Sequence, residues 1–529
     1  MTVRPLIEAA RAYPAMERLV LGAKECVWLA FRIFDPQTRL HSEEARSLGL
    51  KCWADVVRWS CAQGVEWRVR ITDFDAIGAT DLHGLSHRSV QGFRQAAPKN
   101  LQAVAALHPH ELGSLPRLGF WWPARLRVAS KIHAMKADGM SRETIAARYP
   151  GLTERLVDEG SGEPTIRRWP PFSLHPIVHH EKLMIVDRDR MILGGLDVNE
   201  RRFDDLDHDQ PADQTWHDVS VLVEDEPATV REASRHFANL WNDVIGTQDH
   251  DQDLTSIDQP VDREAPPDTD EGKLTFVRTL SAKRTGPIAI SPYEKIKEIE
   301  DAHLDLIANA QSLIYLETQY LRSHILADAL YARARENPDL RLIALLPAAP
   351  DDVAFENNTG PDAKHGTWLQ ARAVDHILEG FGDRALFLSL VGAKAPADPP
   401  DRPEEDGPDF ARVARQPIIY VHAKVMIVDG HSAIVSSANL NGRSMRWDTE
   451  SGVVWRDAEP VQAFQDALWK DHFKALDPPD FQANHVAGEV FPRFQAAAAP
   501  DADTFLIAYP HHRAKRFAAS KFYVPNNMV

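Results

Sequence analysis

The chain has 529 residues, 44% of them apolar, and a formal charge of −17. That length exceeds one ordinary core and suits two domains or a duplicated one. The charge argues against a nucleic-acid-binding surface, which would neutralise phosphates with a basic face, and against standing attachment to an anionic membrane.

Met1 to Ala23 mixes charged and apolar side chains and lacks the apolar centre of a secretory signal. No apolar run approaches the roughly 20 residues that cross a bilayer. Cys26, Cys52 and Cys61 are odd in number and without metal spacing, so they read as reduced, mostly buried thiols. These features predict a cytoplasmic protein without a transmembrane segment; export by a route needing no cleavable signal stays open. A helix is expected over Pro14 to Ala23, then a strand from Cys26 to Phe31, a charged helix from Ser42 to Gln63 and a strand from Val65 to Thr72. Residues 107–170 read as an insertion, holding Phe120-Trp121-Trp122-Pro123 and a polar helical stretch from Ser141 to Arg148.

Next comes Val178-His179-His180-Glu181-Lys182-Leu183-Met184-Ile185-Val186-Asp187, spaced His-x-Lys-x-x-x-x-Asp and followed by Gly194-Gly195-Leu196-Asp197. Leu183 to Val186 and Met191 to Leu193 read as two strands about the turn Asp187 to Arg190. Residues two apart share a strand face, so His180 and Lys182 point the same way while His179 faces packing. The acidic run Asp204 to Asp209 fits no EF-hand spacing and reads as a solvated loop rather than a calcium site. Thr247 to Gly272, rich in Asp and Pro, reads as a linker.

The second half returns to the same order: helix Tyr293 to Ala310, strand Leu313 to Glu317, helix Ser323 to Glu336, strand Leu340 to Leu346. A second solvated stretch, Ala395 to Asp409, precedes His422-Ala423-Lys424-Val425-Met426-Ile427-Val428-Asp429 and then Ser436-Ser437-Ala438-Asn439. One such motif is weak, but its return makes the chain an internal duplication. The expected fold class is α/β, with two sandwich halves related by a pseudo-two-fold axis and the motifs meeting at their seam. The divisions are 1–246, 247–272 (acidic linker), 273–480 and a tail 481–529 that carries no motif.

The paired motifs resemble the two HKD motifs of the phospholipase D superfamily. The run G-G-L-D-V-N-E-R-R-F-D-D from Gly194, with Trp216-His217-Asp218, resembles the first half of eukaryotic-type members. Ile314-Tyr315-Leu316-Glu317-Thr318-Gln319-Tyr320 is similar to a second family segment, with Thr318 where Asn is usual. Asn439-Leu440-Asn441-Gly442-Arg443-Ser444-Met445 and Glu450 complete the likeness.

That resemblance implies a chemistry the residue types allow. A phosphodiester is anionic, and Lys182 and Lys424 can neutralise its oxygens as phosphorus becomes five-coordinate, so neither metal nor cofactor is required. His180 is implied as nucleophile, and His422 as the acid that protonates the leaving oxygen and later the base for water. Glu450 is implied to orient His180, and Asp218 to orient His422, each across the seam. Asp197 and Asn439 match positions near the phosphate, together with Gly195 and Ser437 of the same motifs. An Asp there would repel phosphate unless hydrogen-bonded or turned away. Asp187 and Asp429 are read as holding their hairpins.

The expected activity is hydrolysis of phospholipids to phosphatidate and free head group, with transfer to alcohols. Its partners would be phospholipid at a membrane or micelle surface and water or a small alcohol as acceptor, with no nucleic acid. The alternatives are a phosphatidyltransferase of the cardiolipin or phosphatidylserine synthase type, a nuclease, and a catalytically silent binding module. Phe120-Trp121-Trp122 suits core packing as well as an acyl groove or membrane interface. The pair His511-His512 is expected to do nothing catalytic.

Overall fold

The computed structural model describes residues 3–97, 99–157, 165–211, 214–247, 254–258, 272–349, 361–392 and 418–511. Ala395 to Asp409, most of the expected linker, His512 and the final segment from Lys521 lie outside these residues.

Each motif strand is an unbroken apolar run, and both Lys182–Val186 and Lys424–Val428 are buried from end to end. Strands covered on both faces read this way. Lys182–Val186 turns back into Arg190–Gly194, and Lys424–Val428 into Ser432–Ser436. Both turns begin with Asp at positive φ, Asp187 at 52° and Asp429 at 53°, a conformation that Asp tolerates better than most residues.

The first sheet runs Val3–Ile7, Val219–Val223, Arg190–Gly194, Lys182–Val186, Cys26–Phe31, Glu66–Thr72, Leu101–Ala106. The second contains Leu274–Ala282, Glu450–Arg456, Ser432–Ser436, Lys424–Val428, Leu313–Thr318, Arg341–Leu345, Ala385–Val391, in that order. The two lists correspond strand for strand. In each, the motif strand is antiparallel to a strand that starts a parallel three-strand run. The second sheet also gains Tyr293–Lys297 on one edge and Ile418–Val421 and Trp216–His217 on the other.

The inner faces of both sheets share one core with the helices Pro227–Thr247 and Ala458–Phe473. Val230, Ala233, Phe237, Trp241 and Val244 form the buried stripe of the first, at helical spacing. Separate cores cover the outer faces under helices Ala9–Leu21, Trp53–Ala62 and Thr80–Ala96 on one side, and Glu298–Asn309, His324–Glu336 and Pro361–Phe381 on the other.

Several elements differ from expectation. Ser42 to Gln63 is two helices, Glu43–Ser47 and Trp53–Ala62, parted at Gly49, whose φ of 76° no helix accommodates. Tyr293–Lys297 is an edge strand, and the helix starts at Glu298. Residues 254–258 are not a free linker: Thr255 bonds Gln102 and accepts the Trp241 indole N–H, and Asn242 clasps Ile257. Past Phe481, the expected tail enters the shared core through Val486, Val490, Phe491, Phe494 and Leu506, and Leu506–Ala508 pairs with Ala385–Val391. Among the described residues, no helix is long and apolar enough to cross a membrane.

A buried charged network ties the halves. His217 stands between Glu8 and Glu317, at 2.8 Å from the latter, while His472 (2.8 Å) and the Tyr315 hydroxyl (2.6 Å) bond the other Glu317 oxygen. Burial opposes charge on both partners, but the two carboxylates raise His217 well above its ordinary value, and His217 and His472 hold Glu317 well below its own. Removing Glu317 leaves His217 with Glu8 alone and strips the acceptor from His472 and the Tyr315 hydroxyl, and breaking a buried pair in this way costs about 3–5 kcal/mol. Glu317→Ala should therefore lower the unfolding free energy by about 3 kcal/mol or more. The His217 contribution is complete below its unfolded value of 6.5 and is lost as pH rises through the higher folded one. The Glu317 contribution is complete above 4.5 and is lost towards strong acid. Denaturant titrations should thus find the largest gap between wild type and variant from about pH 4.5 to 6.5. A gap that stays constant into strong alkali would contradict an ion pair.

Candidate active site

Two short exchanges between the halves bring the motifs together. Ile418–Val421, leading into His422, runs parallel to Trp216–His217, and the His422 N–H donates to the His217 carbonyl at 2.8 Å. In the mirror arrangement His179 bridges Thr449, and the His180 N–H donates to the Thr449 carbonyl at 2.8 Å. The residue after each partner is an acid: Asp218 follows His217, and Glu450 follows Thr449. Asp448 secures the second exchange, accepting the Val178 N–H at 3.0 Å while paired with Arg443.

Each histidine consequently meets a carboxylate of the other half. His180 Nδ1 lies 3.1 Å from Glu450 Oε2, and His422 Nδ1 lies 2.6 Å from Asp218 Oδ2. Lys182 Nζ is 3.3 Å from His180 Nε2 and donates to the His180 carbonyl at 2.9 Å; Lys424 Nζ donates to the His422 carbonyl. A lysine donating to Nε2 leaves the lone pair on that nitrogen and the proton on Nδ1, facing Glu450. His180 keeps 12% of its side-chain exposure, against 3% for His422 and 1% for Lys182, so the site opens onto His180.

Burial, reinforced by the nearby lysines, holds both imidazoles well below their ordinary values, and so neutral. Burial also raises Asp218 to about 7 and Glu450 to about 8, and lowers Lys182 to about 8 and Lys424 to about 7. A bound anion would favour the charged lysines again, so the site is poised to take up negative charge.

The neighbouring motif residues divide into supports. Asp197 is buried and accepts the Ile33 N–H at 3.0 Å, with Lys182 and Arg32 each 3.9 Å from its other oxygen. It is thus hydrogen-bonded and faced by two cations, which answers the expected repulsion. Its repeat counterpart Asn439 keeps a buried side-chain oxygen without a hydrogen-bond partner. Ser437 Oγ donates to Glu450 Oε2 at 2.6 Å, and a Cβ at its counterpart Gly195 would lie 2.1 Å from Asp218 Oδ1. One carboxylate is clasped by a hydroxyl; the other needs a position without a side chain. Asp187 and Asp429 are not brought to the site. They lie at the far ends of the motif strands, roughly 15 Å along. There they accept the N–H groups of Glu25 and Cys26, and of Ser312 and Leu313.

His179 packs, as its face predicts, against Thr449 and the His108 ring. Asp204 corrects the solvated-loop reading: it is buried, pairs with His208 at 2.8 Å and accepts the Trp216 N–H at 2.8 Å, fixing the exchanged strand. Sequence reasoning missed Arg32 and Arg202, whose charges help hold His180 and His422 neutral. It also missed the partnership of His217 with Glu317, although both lie in segments noted for their resemblance.

Two groups among the described residues come close enough to hold a metal: Asp73, His83 and His87, and His217, Glu317 and His472. In the first, the Gly151 N–H donates to His83 Nε2 (3.2 Å), which puts the ring proton on Nδ1, towards Asp73 at 2.7 Å. That is a hydrogen-bonded cluster rather than a set of free lone pairs. In the second, both His217 nitrogens already face carboxylates.

Residues 393–472 match the family model described as "Cardiolipin synthase, PLD-like domain". Phospholipase D1 of Schizosaccharomyces pombe is 24% identical over 359 residues, covering 54% of this chain and 25% of that protein. Phospholipase D alpha 2 of Oryza sativa subsp. japonica is 24% identical over 406 residues, covering 57% and 49%. The chain spans half or less of the length of these curated relatives. The crystal structure of phosphatidylserine synthase from Haemophilus influenzae Rd KW20 superposes with a TM-score of 0.49 at 12% identity, covering 88% of this chain and 85% of that one.

The Gly195 geometry is open to a direct check. In Gly195→Ala the deshielded proton shared by His422 and Asp218 should vanish from the proton NMR spectrum, while that between His180 and Glu450 persists. Retention of both resonances would mean that Asp218 tolerates a methyl group beside it.

Proposed function

We propose that this chain, which belongs to the phospholipase D superfamily, is a phospholipase D that hydrolyses phospholipid diesters through a phosphohistidine on His180. The observation that carries this reading is the crossed pairing of two histidines with two carboxylates over two buried lysines. An anionic phosphodiester fits where two ammonium groups converge, and donors fixed at the developing charge are worth about 10²–10³ in rate each.

In the first step His180 Nε2 attacks phosphorus, the bond to the head-group oxygen breaks, and the His422–Asp218 pair delivers a proton to that oxygen. In the second, His422 takes a proton from water, the water oxygen attacks phosphorus, and the phosphorus–nitrogen bond breaks to release phosphatidate. Glu450 holds the His180 Nδ1 proton throughout, so that Nε2 keeps its lone pair. The greater exposure of His180 favours it as the group that meets substrate first. A small alcohol in place of water would give transfer. The family-model match over 393–472 favours one second reading, a phosphatidyltransferase of the cardiolipin synthase type, in which a lipid alcohol takes the phosphatidyl group.

Chromatography of products from mixed phospholipid vesicles separates these. Phosphatidate in water, and phosphatidylethanol when ethanol is added, is the expected result. Cardiolipin formed from phosphatidylglycerol without phosphatidate would replace hydrolysis by transfer, and DNA cleavage without lipid turnover would replace both by a nuclease.

The two histidines separate by leaving group. A head-group alkoxide needs a proton, whereas p-nitrophenolate hardly does. His422→Asn should lose lipid hydrolysis yet release one equivalent of p-nitrophenol from an aryl diester and then stall, with acid-labile phosphate on His180. His180→Asn should give neither burst nor turnover. A burst in His180→Asn, with phosphate on His422, would reverse the roles.

A further inference from the structure

One segment beside the site has a charge opposite to that of the whole chain. Residues 114–137 carry Arg117, Arg125, Arg127, Lys131 and Lys136 and no acid, in a chain of charge −17. They form the helices Ser114–Gly119 and Trp121–Ala137. Helix Trp121–Ala137 buries Ala124, Val128 and Met135 against Tyr149, Leu152 and Phe172. Trp122 and Leu126, one turn apart on its opposite side, are 58% and 55% exposed.

This exposure is not scattered. Leu115, Leu118 and Phe120 are also about half exposed, and Trp169 is 67% exposed beside Trp121, whose indole N–H donates to the Arg168 carbonyl at 2.9 Å. The second half extends the same face. The Gly113 and Leu115 N–H groups donate to the Ala289 and Pro287 carbonyls, joining a loop whose Ile288 and Ile290 point to solvent and which also carries Lys283 and Arg284. An apolar face of this extent is rare on a soluble protein with nothing to bind; of the basic residues that flank it, Arg117 and Lys283 share Glu111 and Lys131 pairs with Asp81.

Its root lies at the catalytic edge. Phe31, at the end of its strand, pairs with Lys182, so the parallel strands of the first sheet end on the side of the site. His108, two residues beyond Leu101–Ala106, has its ring 5.3 Å from that of His179, the neighbour of His180.

We propose that this face docks on an anionic phospholipid surface, with the Trp and Leu side chains in the interfacial layer and the basic residues against the head groups. Tryptophan is favoured at that depth, and exposed basic residues beside it select negative lipid. The inference rests on the phospholipid-acting reading and deepens it, giving the site a way to meet substrates that do not leave their bilayer.

The test uses the full chain with Leu118, Trp122 and Leu126 all changed to Ser, exposed positions whose replacement should leave the circular dichroism and unfolding midpoint unchanged. In flotation with vesicles of phosphatidylcholine containing one third phosphatidylglycerol, wild type should float, with tryptophan emission shifted to the blue. The variant should lose at least tenfold in binding, and high salt should weaken the wild type. On vesicles the variant should turn over at least tenfold more slowly, while a soluble aryl diester is cleaved at the wild-type rate. Equal flotation of variant and wild type, or no flotation of wild type, would overturn the proposal. So would a wild-type dimer that the variant dissolves in lipid-free sedimentation, which would assign the face to a second copy of the chain. Flotation as expected with no diester turnover in wild type would instead fault the catalytic reading.

Discussion

The candidate site hangs on two backbone hydrogen bonds, one from the His180 N–H to the Thr449 carbonyl and one from the His422 N–H to the His217 carbonyl. Each fixes the register of a short parallel contact between halves. Register on a strand is unforgiving, because a slip of one residue turns every side chain to the opposite face. A slip at Thr449 would present Thr or Ser to His180 in place of Glu450. The surrounding investment in rigidity follows from this: Asp448 and Arg443 hold one exchange, while Asp204 and the Glu8–His217–Glu317 network hold the other.

The two halves share a frame and differ where chemistry differs. Arg32 and Gln319 occupy equivalent positions, as do Asp197 and Asn439; one half carries a cation with an anion, the other two amides. Gly195 and Ser437 are likewise equivalent, one making room for Asp218 and the other bonded to Glu450. A duplicated fold supplies two histidines in mirror positions, and these substitutions give them unlike surroundings, which suits the proposed division into nucleophile and acid.

The motif strands, their hairpins and most of the helices around them could be read from the chain because their signals are local. A continuous apolar run between turn residues needs no knowledge of its partner, and Ser323 announced its helix by capping it. What stayed hidden depends on distant residues. Val3–Ile7 is an edge strand interrupted by Pro5, legible only beside Val219–Val223. His217 and Glu317 are a hundred positions apart, and neither carries a mark of the other. The aromatic cluster of the insertion was visible as composition, but only the packing of Ala124 and Val128 shows which side of its helix meets solvent. Past Phe481, small and aromatic residues without clear period gave no sign that they line the shared core.

That last feature bears on how the protein is made. Phe491, Phe494 and Leu506 fill space between sheets whose strands are synthesised far earlier, and Leu506–Ala508 adds the last pairing to Ala385–Val391. A nascent chain carrying both motifs but not yet these residues lacks part of the core that the two sheets share. The shared core is therefore completed only late in synthesis.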